Sequence, residues 1–259
     1  MMATQIDLAD RVAIITGGSR GIGRAVALAL AAAGARVVVA SRKQEGVDGV
    51  AKEIQEQGGK ALAVAAHVGD EEALAALVDR AVARFGRVDI LVNNAGTNPH
   101  FGPLLTASAA QWDKIMEVNL RGAFLLCQKV VPIMREQGGG KIVNMSSVAG
   151  VRPQSGMGIY SVSKAGLIML TQALAQELGS FNIQVNALAP GVIKTRFSSV
   201  LWQTPAIAEA LSKHVPSGHL GEVQDVVGAA LFLASPLADY VTGAVLLVDG
   251  GMHVAGLMG

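Results

Sequence analysis

The sequence predicts a single α/β domain, a doubly wound parallel sheet of seven strands with helices packed on both faces. Three observations predict it. Short β-branched runs alternate with long Ala-rich stretches from end to end, and strands that are apolar throughout belong to parallel sheets covered on both sides. The 259 residues suit one large domain, and no Pro/Ser/Gly-rich linker or fixed-period repeat divides them. A 51% hydrophobic fraction against 16% charged residues describes a large core rather than disorder. Aromatics are only 4%, so that core is built from Ala, Val, Leu and Ile, small enough for close helix-on-sheet packing.

Taken in order, strands are expected at 12–16, 36–40, 61–66, 88–92, 141–145, 182–188 and 244–248. Helices fall between them at 21–33, 44–57, 71–85, 109–137, 159–179 and 222–234. The segment 190–221 departs from this rhythm. It carries Pro190, Pro205 and Pro216 around a short helix near 206–213. Connections of this length are usually functional, often as lids, and 190–221 is read as a substrate lid within the one domain.

Composition narrows the function. A net charge of +1 gives no basis for nucleic acid or an anionic membrane as partner. Cys127 is the only cysteine, so no intramolecular disulfide can form and a reducing, cytoplasmic setting is expected. The first ten residues lack a signal-peptide pattern, and the longest small-apolar run, 25–35, is too short to span a bilayer. His67, His100, His214, His219 and His253 show no metal-ligand spacing, so no metal is expected. Asn144-Met145-Ser146 matches a glycosylation sequon by chance, inside an expected buried strand.

The chemistry begins with Tyr160-Ser161-Val162-Ser163-Lys164. Four residues apart on a helix, a phenol and an ammonium share one face and can act on one ligand. A free Tyr titrates near 10 and is a poor acid or base at neutrality; a fixed cation beside it favours the phenolate and lowers that value. At the other end, Thr16-Gly17-Gly18-Ser19-Arg20-Gly21-Ile22-Gly23 follows the first strand and opens the first helix. Its glycines let the backbone turn tightly and approach a pyrophosphate, which the helix N-terminus attracts. The second strand ends Ala40-Ser41-Arg42-Lys43, with no carboxylate before Glu45. An acidic residue there would bind ribose hydroxyls and repel a 2′-phosphate. Ser41 and the Arg42 fork instead suit that phosphate, with Arg20 closing from the glycine loop, so NADP(H) is expected over NAD(H).

Together these pieces resemble the short-chain dehydrogenase/reductase family, from Arg11 to Gly251. The resemblance rests on the glycine loop, Asn93-Asn94-Ala95-Gly96, Asn119, Ser147 standing 13 positions before Tyr160, Tyr160-x-x-x-Lys164, and Pro190-Gly191 followed by Thr195. It implies a Rossmann-type domain and a catalytic set of Asn119, Ser147, Tyr160 and Lys164. Tyr160 is then general acid or base, and Ser147 donates to the substrate oxygen. Lys164 binds the nicotinamide ribose and lowers the Tyr160 pKa, while Asn119 holds a water of a proton relay. Of the adjacent serines, strand alternation lets only one face the substrate, and the interval favours Ser147 over Ser146. Implied cofactor contacts are Gly17, Ser19, Arg20, Gly21, Ile22, Gly23, Ser41, Arg42, His67, Val68, Asn94, Ala95, Gly96, Tyr160, Lys164, Pro190, Gly191, Val192, Ile193 and Thr195. A homotetramer through the two long central helices and the tail from Leu246 to Met258 is implied as well.

Two positions depart from the family pattern. His67-Val68 stands where many members have Asp-Val, and His67 either meets adenine or caps its strand; His219-Leu220-Gly221 replaces Arg-x-Gly. Within the family, the motifs around Ser41-Arg42, Asn98-Pro99-His100-Phe101 and Ile193–Phe197 look like NADPH-dependent carbonyl reductases of the animal peroxisomal type, although Gly256-Leu257-Met258-Gly259 is no peroxisomal targeting tripeptide. Asn98, His100, Phe101, Val148, Met157, Phe197, Leu201 and Trp202 are the expected substrate pocket, largely apolar, and suited to a medium-sized ketone or aldehyde. Trp202 and Phe197 could instead anchor the lid, and Lys194 and Arg196 either steer an anionic substrate or stay solvated. The leading reading is an NADP(H)-dependent carbonyl reductase or alcohol dehydrogenase. A 3-oxoacyl thioester reductase and a glucose-type sugar dehydrogenase are alternatives, and a non-catalytic NADP(H)-binding regulator is the reading from another class.

Overall fold

The computed structural model of the chain describes residues 6–255. Its seven strands are β1 (Val12–Thr16), β2 (Arg36–Ser41), β3 (Lys60–Ala65), β4 (Ile90–Asn93), β5 (Gly140–Met145), β6 (Ile183–Pro190) and β7 (Val245–Val248). They form one sheet in the order β3-β2-β1-β4-β5-β6-β7, every pairing parallel. The order reverses between β1 and β4, and in such sheets ligands bind beyond the strand C-termini at that switch point.

Strand alternation divides the core into two layers. Ala13 and Ile15 of β1, with Val37 and Val39 of β2, face a cluster that includes Val26, Val50, Val226 and Leu233. These come from α1 (Gly21–Ala32), α2 (Gln44–Glu56) and α9 (Val223–Ala234). Val12, Ile14 and Val38 face Leu77, Leu126 and Leu178 on the other side, from α3 (Glu71–Phe85), α5 (Gly122–Glu136) and α6 (Gly158–Leu178). Strand residues buried on both faces explain why β1 reads as an unbroken apolar run. Helix signals are local where they exist: Asp70 caps α3 by accepting from the Ala73 amide, and Gly86 ends it in the left-handed conformation.

Two expectations need correction. The helix expected over 109–137 is broken: α4 (Ala109–Met116) gives way to a π-helical turn, Glu117–Arg121, before α5. Asn119 sits in that turn, and its side chain is tied to backbone outside the helix, which holds the turn wide. The segment 190–221 also contains an extra helix, α7 (Ser199–Gln203), ahead of α8 (Pro205–Lys213). Its five residues are too few to show a helical period. Among the described residues no helix is long and apolar enough to cross a membrane, and no group of His, Cys, Asp and Glu clusters as metal ligands would. Residues 256–259, including the end of the apolar tail, lie outside the described residues.

Candidate active site

The C-terminal ends of β1, β2, β4, β5 and β6 open into one cleft of about 1220 Å³. All the expected cofactor-side residues line it: the glycine loop from Gly17 to Gly23 (save Gly18), Ser41 and Arg42, His67 and Val68, Asn94 to Gly96, and Pro190 to Thr195 (save Lys194). At the loop, Arg20 precedes α1 in an extended conformation, with no side-chain cap and no acidic residue in the first turn. The leading amides of α1 are thus left for a ligand, the environment a pyrophosphate requires. Gly23 is packed so closely that a Cβ would lie 2.4 Å from Asn94 Nδ2 and 2.5 Å from the Gly17 carbonyl. Asn94 laces the loop to the sheet, its Nδ2 donating to the carbonyls of Thr16 (2.9 Å) and Gly17 (3.2 Å). The Thr16 hydroxyl in turn accepts from the amides of Asn94 and Ala95.

At the adenosine end, the Arg20 and Arg42 guanidinium groups are exposed along the cleft. The neighbouring Arg24 is already engaged, its guanidinium donating to both oxygens of Glu53. His67 lines the same end with its Nδ1 accepting from the Gly69 amide (2.9 Å) and its Nε2 3.2 Å from Lys114 Nζ. The ring therefore braces its turn while one edge still borders the cleft.

At the other end β5 delivers Ser146 and Ser147, and the first turns of α6 deliver Tyr160 and Lys164. Ser146 Oγ is buried and donates to the Lys164 carbonyl (2.9 Å), a bracing role. Ser147 Oγ accepts from the Ala149 amide (3.1 Å), and its hydroxyl lies near enough to the Tyr160 phenol to favour the phenolate. Lys164 Nζ donates to the Met145 carbonyl (2.7 Å) and stands 5.6 Å from the centre of the Tyr160 ring. Asn119 is 1% exposed; its Nδ2 donates to the Thr97 carbonyl and to Ser163 Oγ, and its Oδ1 accepts from the Thr97 amide (2.7 Å). Both hydrogens of Nδ2 and one lone pair of Oδ1 are thus committed to Thr97 and Ser163. A Cβ on Gly96 would lie 3.7 Å from both Asn119 Oδ1 and Lys164 Nζ, which joins the Asn93–Gly96 turn to this cluster.

The electrostatics differ from the sequence expectation. Burial pushes the Tyr160 phenol up to about 12, offset only in part by the neighbouring Ser147 side chain, and pushes Lys164 down to about 8. Burial outweighs the lowering expected from the Lys164 cation, whose ammonium donates to the Met145 carbonyl. As pH rises, Lys164 loses its charge first. If protonated Lys164 is needed, kcat/KM for carbonyl reduction is expected to stay level below about 8 and to fall above it. A profile that stays level far beyond that value would contradict this.

The expected pocket residues divide. Phe101, Val148, Met157, Phe197 and Leu201 line the cleft, whereas Asn98, His100 and Trp202 do not. His100 is buried, with Nε2 3.3 Å from Thr106 Oγ1. Trp202 Nε1 donates to the Thr195 carbonyl (2.9 Å), anchoring the 190–221 segment. Phe197 lies over the site, its ring centre 5.9 Å from that of Tyr160. The segment 190–221 is pinned at its base, where the Gly221 amide donates to the Val192 carbonyl and the Lys194 amide to the Gly221 carbonyl. Lys194 is paired with Glu222 (2.7 Å) outside the cleft lining, while Arg196 lines it. Ile207, Leu211 and Met252 also line the cleft and were not anticipated. Ile207 and Leu211, four residues apart on a short amphipathic helix, carried a readable signal; Met252, in a turn, carried none. Cys127 is buried under the sheet, its thiol pushed up to about 12 by burial, which makes it inert.

A family model described as enoyl-(acyl carrier protein) reductase matches residues 17–253. Dehydrogenase/reductase SDR family member 4 of Oryctolagus cuniculus is 43% identical over 244 residues, covering 94% of each chain. The chain belongs to the short-chain dehydrogenase/reductase family. Members are NAD(P)-dependent oxidoreductases of ketones and alcohols, and the likeness to animal members fits the motifs around Ser41-Arg42 and Ile193–Phe197. Among solved short-chain dehydrogenase/reductase structures, a 7α-hydroxysteroid dehydrogenase complexed with NADH and 7-oxo glycochenodeoxycholic acid superposes with a TM-score of 0.92. It is 39% identical and covers 97% of this chain and 98% of its own. A gluconate 5-dehydrogenase of Burkholderia cenocepacia, in complex with NADP and tartrate, gives 0.93 at 36% identity, with the same coverage.

Proposed function

We propose that this chain is an NADP(H)-dependent carbonyl reductase acting on medium-sized apolar ketones or aldehydes, and on the corresponding secondary alcohols in reverse. The observation that carries the proposal is the meeting of Ser147, Tyr160 and Lys164 beneath an apolar wall of Met157, Phe197 and Leu201. NADP(H), when bound, supplies or accepts the hydride. Ser147 Oγ holds the substrate oxygen, and Tyr160 Oη passes its proton to that oxygen as the carbonyl carbon is reduced. Lys164 holds the ribose hydroxyls, and a water held at Asn119 and linked to Lys164 returns a proton from solvent to Tyr160. An apolar wall offers few partners to a polyhydroxylated sugar, which favours a ketone over the gluconate-type substrate of one structural neighbour.

Initial rates across aromatic and α-dicarbonyl ketones, a 3-oxoacyl thioester, glucose and gluconate, each with NADPH and NADH, test the proposal. The ketones with NADPH are expected to lead; higher catalytic efficiency on glucose or on the thioester overturns the substrate class. Arg42→Gln is expected to raise KM for NADPH about tenfold while leaving NADH unchanged, since a charge-assisted contact to the 2′-phosphate is lost. Equal efficiency of the parent protein with both cofactors contradicts the preference. A homotetramer in the cytoplasm completes the reading. Leu120, Phe124, Gly166 and Leu170 line an open groove across α5 and α6 and the turn before α5, a face suited to a second copy. A stable monomer in sedimentation removes that part.

A further inference from the structure

We infer that Met252 is a specificity-determining residue of the substrate pocket, held in place by a clip at Asp249 that also seats the lid. This rests on the carbonyl reductase reading above and adds to it a wall from the far end of the chain. Asp249 immediately follows β7, and its side chain is only 5% exposed. Its Oδ1 accepts from the Gly251 amide (3.0 Å), and its Oδ2 accepts from the amide and the ring Nδ1 of His253 (both 2.8 Å). Burial by itself raises the pKa of this carboxyl, yet the bonds from His253 and Gly251 hold it below the usual carboxylate range.

The clip curls residues 249–253 into a compact turn with two ends. One end touches the nicotinamide side of the cleft, where a Cβ on Gly191 would lie 2.9 Å from Asp249 Cα and Cβ. The other end receives the lid. The Ser217 amide donates to the Gly250 carbonyl (3.0 Å), and Cβ atoms on Gly250 and Gly251 would strike Val215, Pro216 and Ser217. Both glycines have positive φ, 62° and 87°, so the close approach and the turn depend on each other. Met252 follows directly. Half-buried, it reaches the cleft that Ile207 and Leu211 of the lid also line. An unbranched thioether side chain adapts to irregular gaps, and its length sets how far a substrate extends.

The test uses para-substituted aryl methyl ketones of increasing length with NADPH. Met252→Ala is expected to raise kcat/KM for the longest ketone relative to the shortest by about tenfold, the scale on which one or two methylenes discriminate. NADPH affinity, read separately by fluorescence, stays unchanged. Asp249→Asn, which turns an acceptor into a donor facing His253, is expected to shift the same ratio through KM rather than kcat. The double variant is expected to go no further than Met252→Ala alone, because the two act through one contact. A ratio within twofold of the parent in Met252→Ala, or fully additive shifts, overturns the inference. A parent protein that reduces none of the ketones overturns the carbonyl reductase reading instead.

Discussion

Tyr160→Phe is expected to cut turnover by about 10²–10⁴-fold, the range assigned to a positioned general acid, while the fold and NADPH binding persist. Tyr160 is 8% exposed on α6, with the Ser147 side chain nearby. Phe occupies almost the same volume, so packing against Phe197 survives and the melting temperature moves little. The missing atom is the oxygen proposed to pass the proton. A loss of 10³-fold corresponds to about 4 kcal/mol of transition-state stabilisation. Steady-state rates with an aryl ketone, alongside NADPH binding by fluorescence and thermal melting, separate this outcome from misfolding. Retention of turnover within tenfold, with binding intact, would remove Tyr160 from the mechanism.

The second large effect is at the glycine loop. Gly23→Ala places a methyl group 2.4 Å from Asn94 Nδ2 and 2.5 Å from the Gly17 carbonyl oxygen. Asn94 could swing aside only by giving up its bonds to the Thr16 and Gly17 carbonyls, and Gly17 is backbone at φ 64°. The start of α1 must therefore lift off the loop. A cost of about 1–3 kcal/mol is expected from overpacking, together with at least a tenfold weaker NADPH affinity as the α1 amides lose their aim. Gly228→Ala on α9 is the control. A Cβ there meets nothing within 4 Å, so the change is expected to be neutral or to gain up to about 1 kcal/mol from helix propensity. Melting curves and NADPH titrations of both variants check the pair; an intact affinity in Gly23→Ala would show that the loop does not hold the cofactor.

Much of this molecule was legible in its sequence because the signals are local. The strand β1 and the helix α3 carry their bounds in apolar run, cap and left-handed glycine. Tyr160 and Lys164 could be paired on one helix face from their spacing, whereas Ser147 and Asn119 were named through the resemblance to the family. The break at Glu117–Arg121 was not legible. It arises because Asn119 bonds to Thr97, 22 residues earlier, and helical propensity says nothing of such a contact. Trp202 showed the same limit: an aromatic in an apolar lid reads equally as wall or anchor until its indole nitrogen is found on the Thr195 carbonyl.

The sequence alone determined the parallel α/β architecture, the glycine loop and the placing of Tyr160 and Lys164 on one helix face, because periodicity and short-range spacing encode them directly. Only the tertiary structure decided the environment of that pair and the walls of its pocket. Burial pushes Tyr160 up and Lys164 down, and Met252 reaches the cleft through a turn held at Asp249. Desolvation and long-range contact depend on every element that closes over a site, and no window of neighbouring residues contains them.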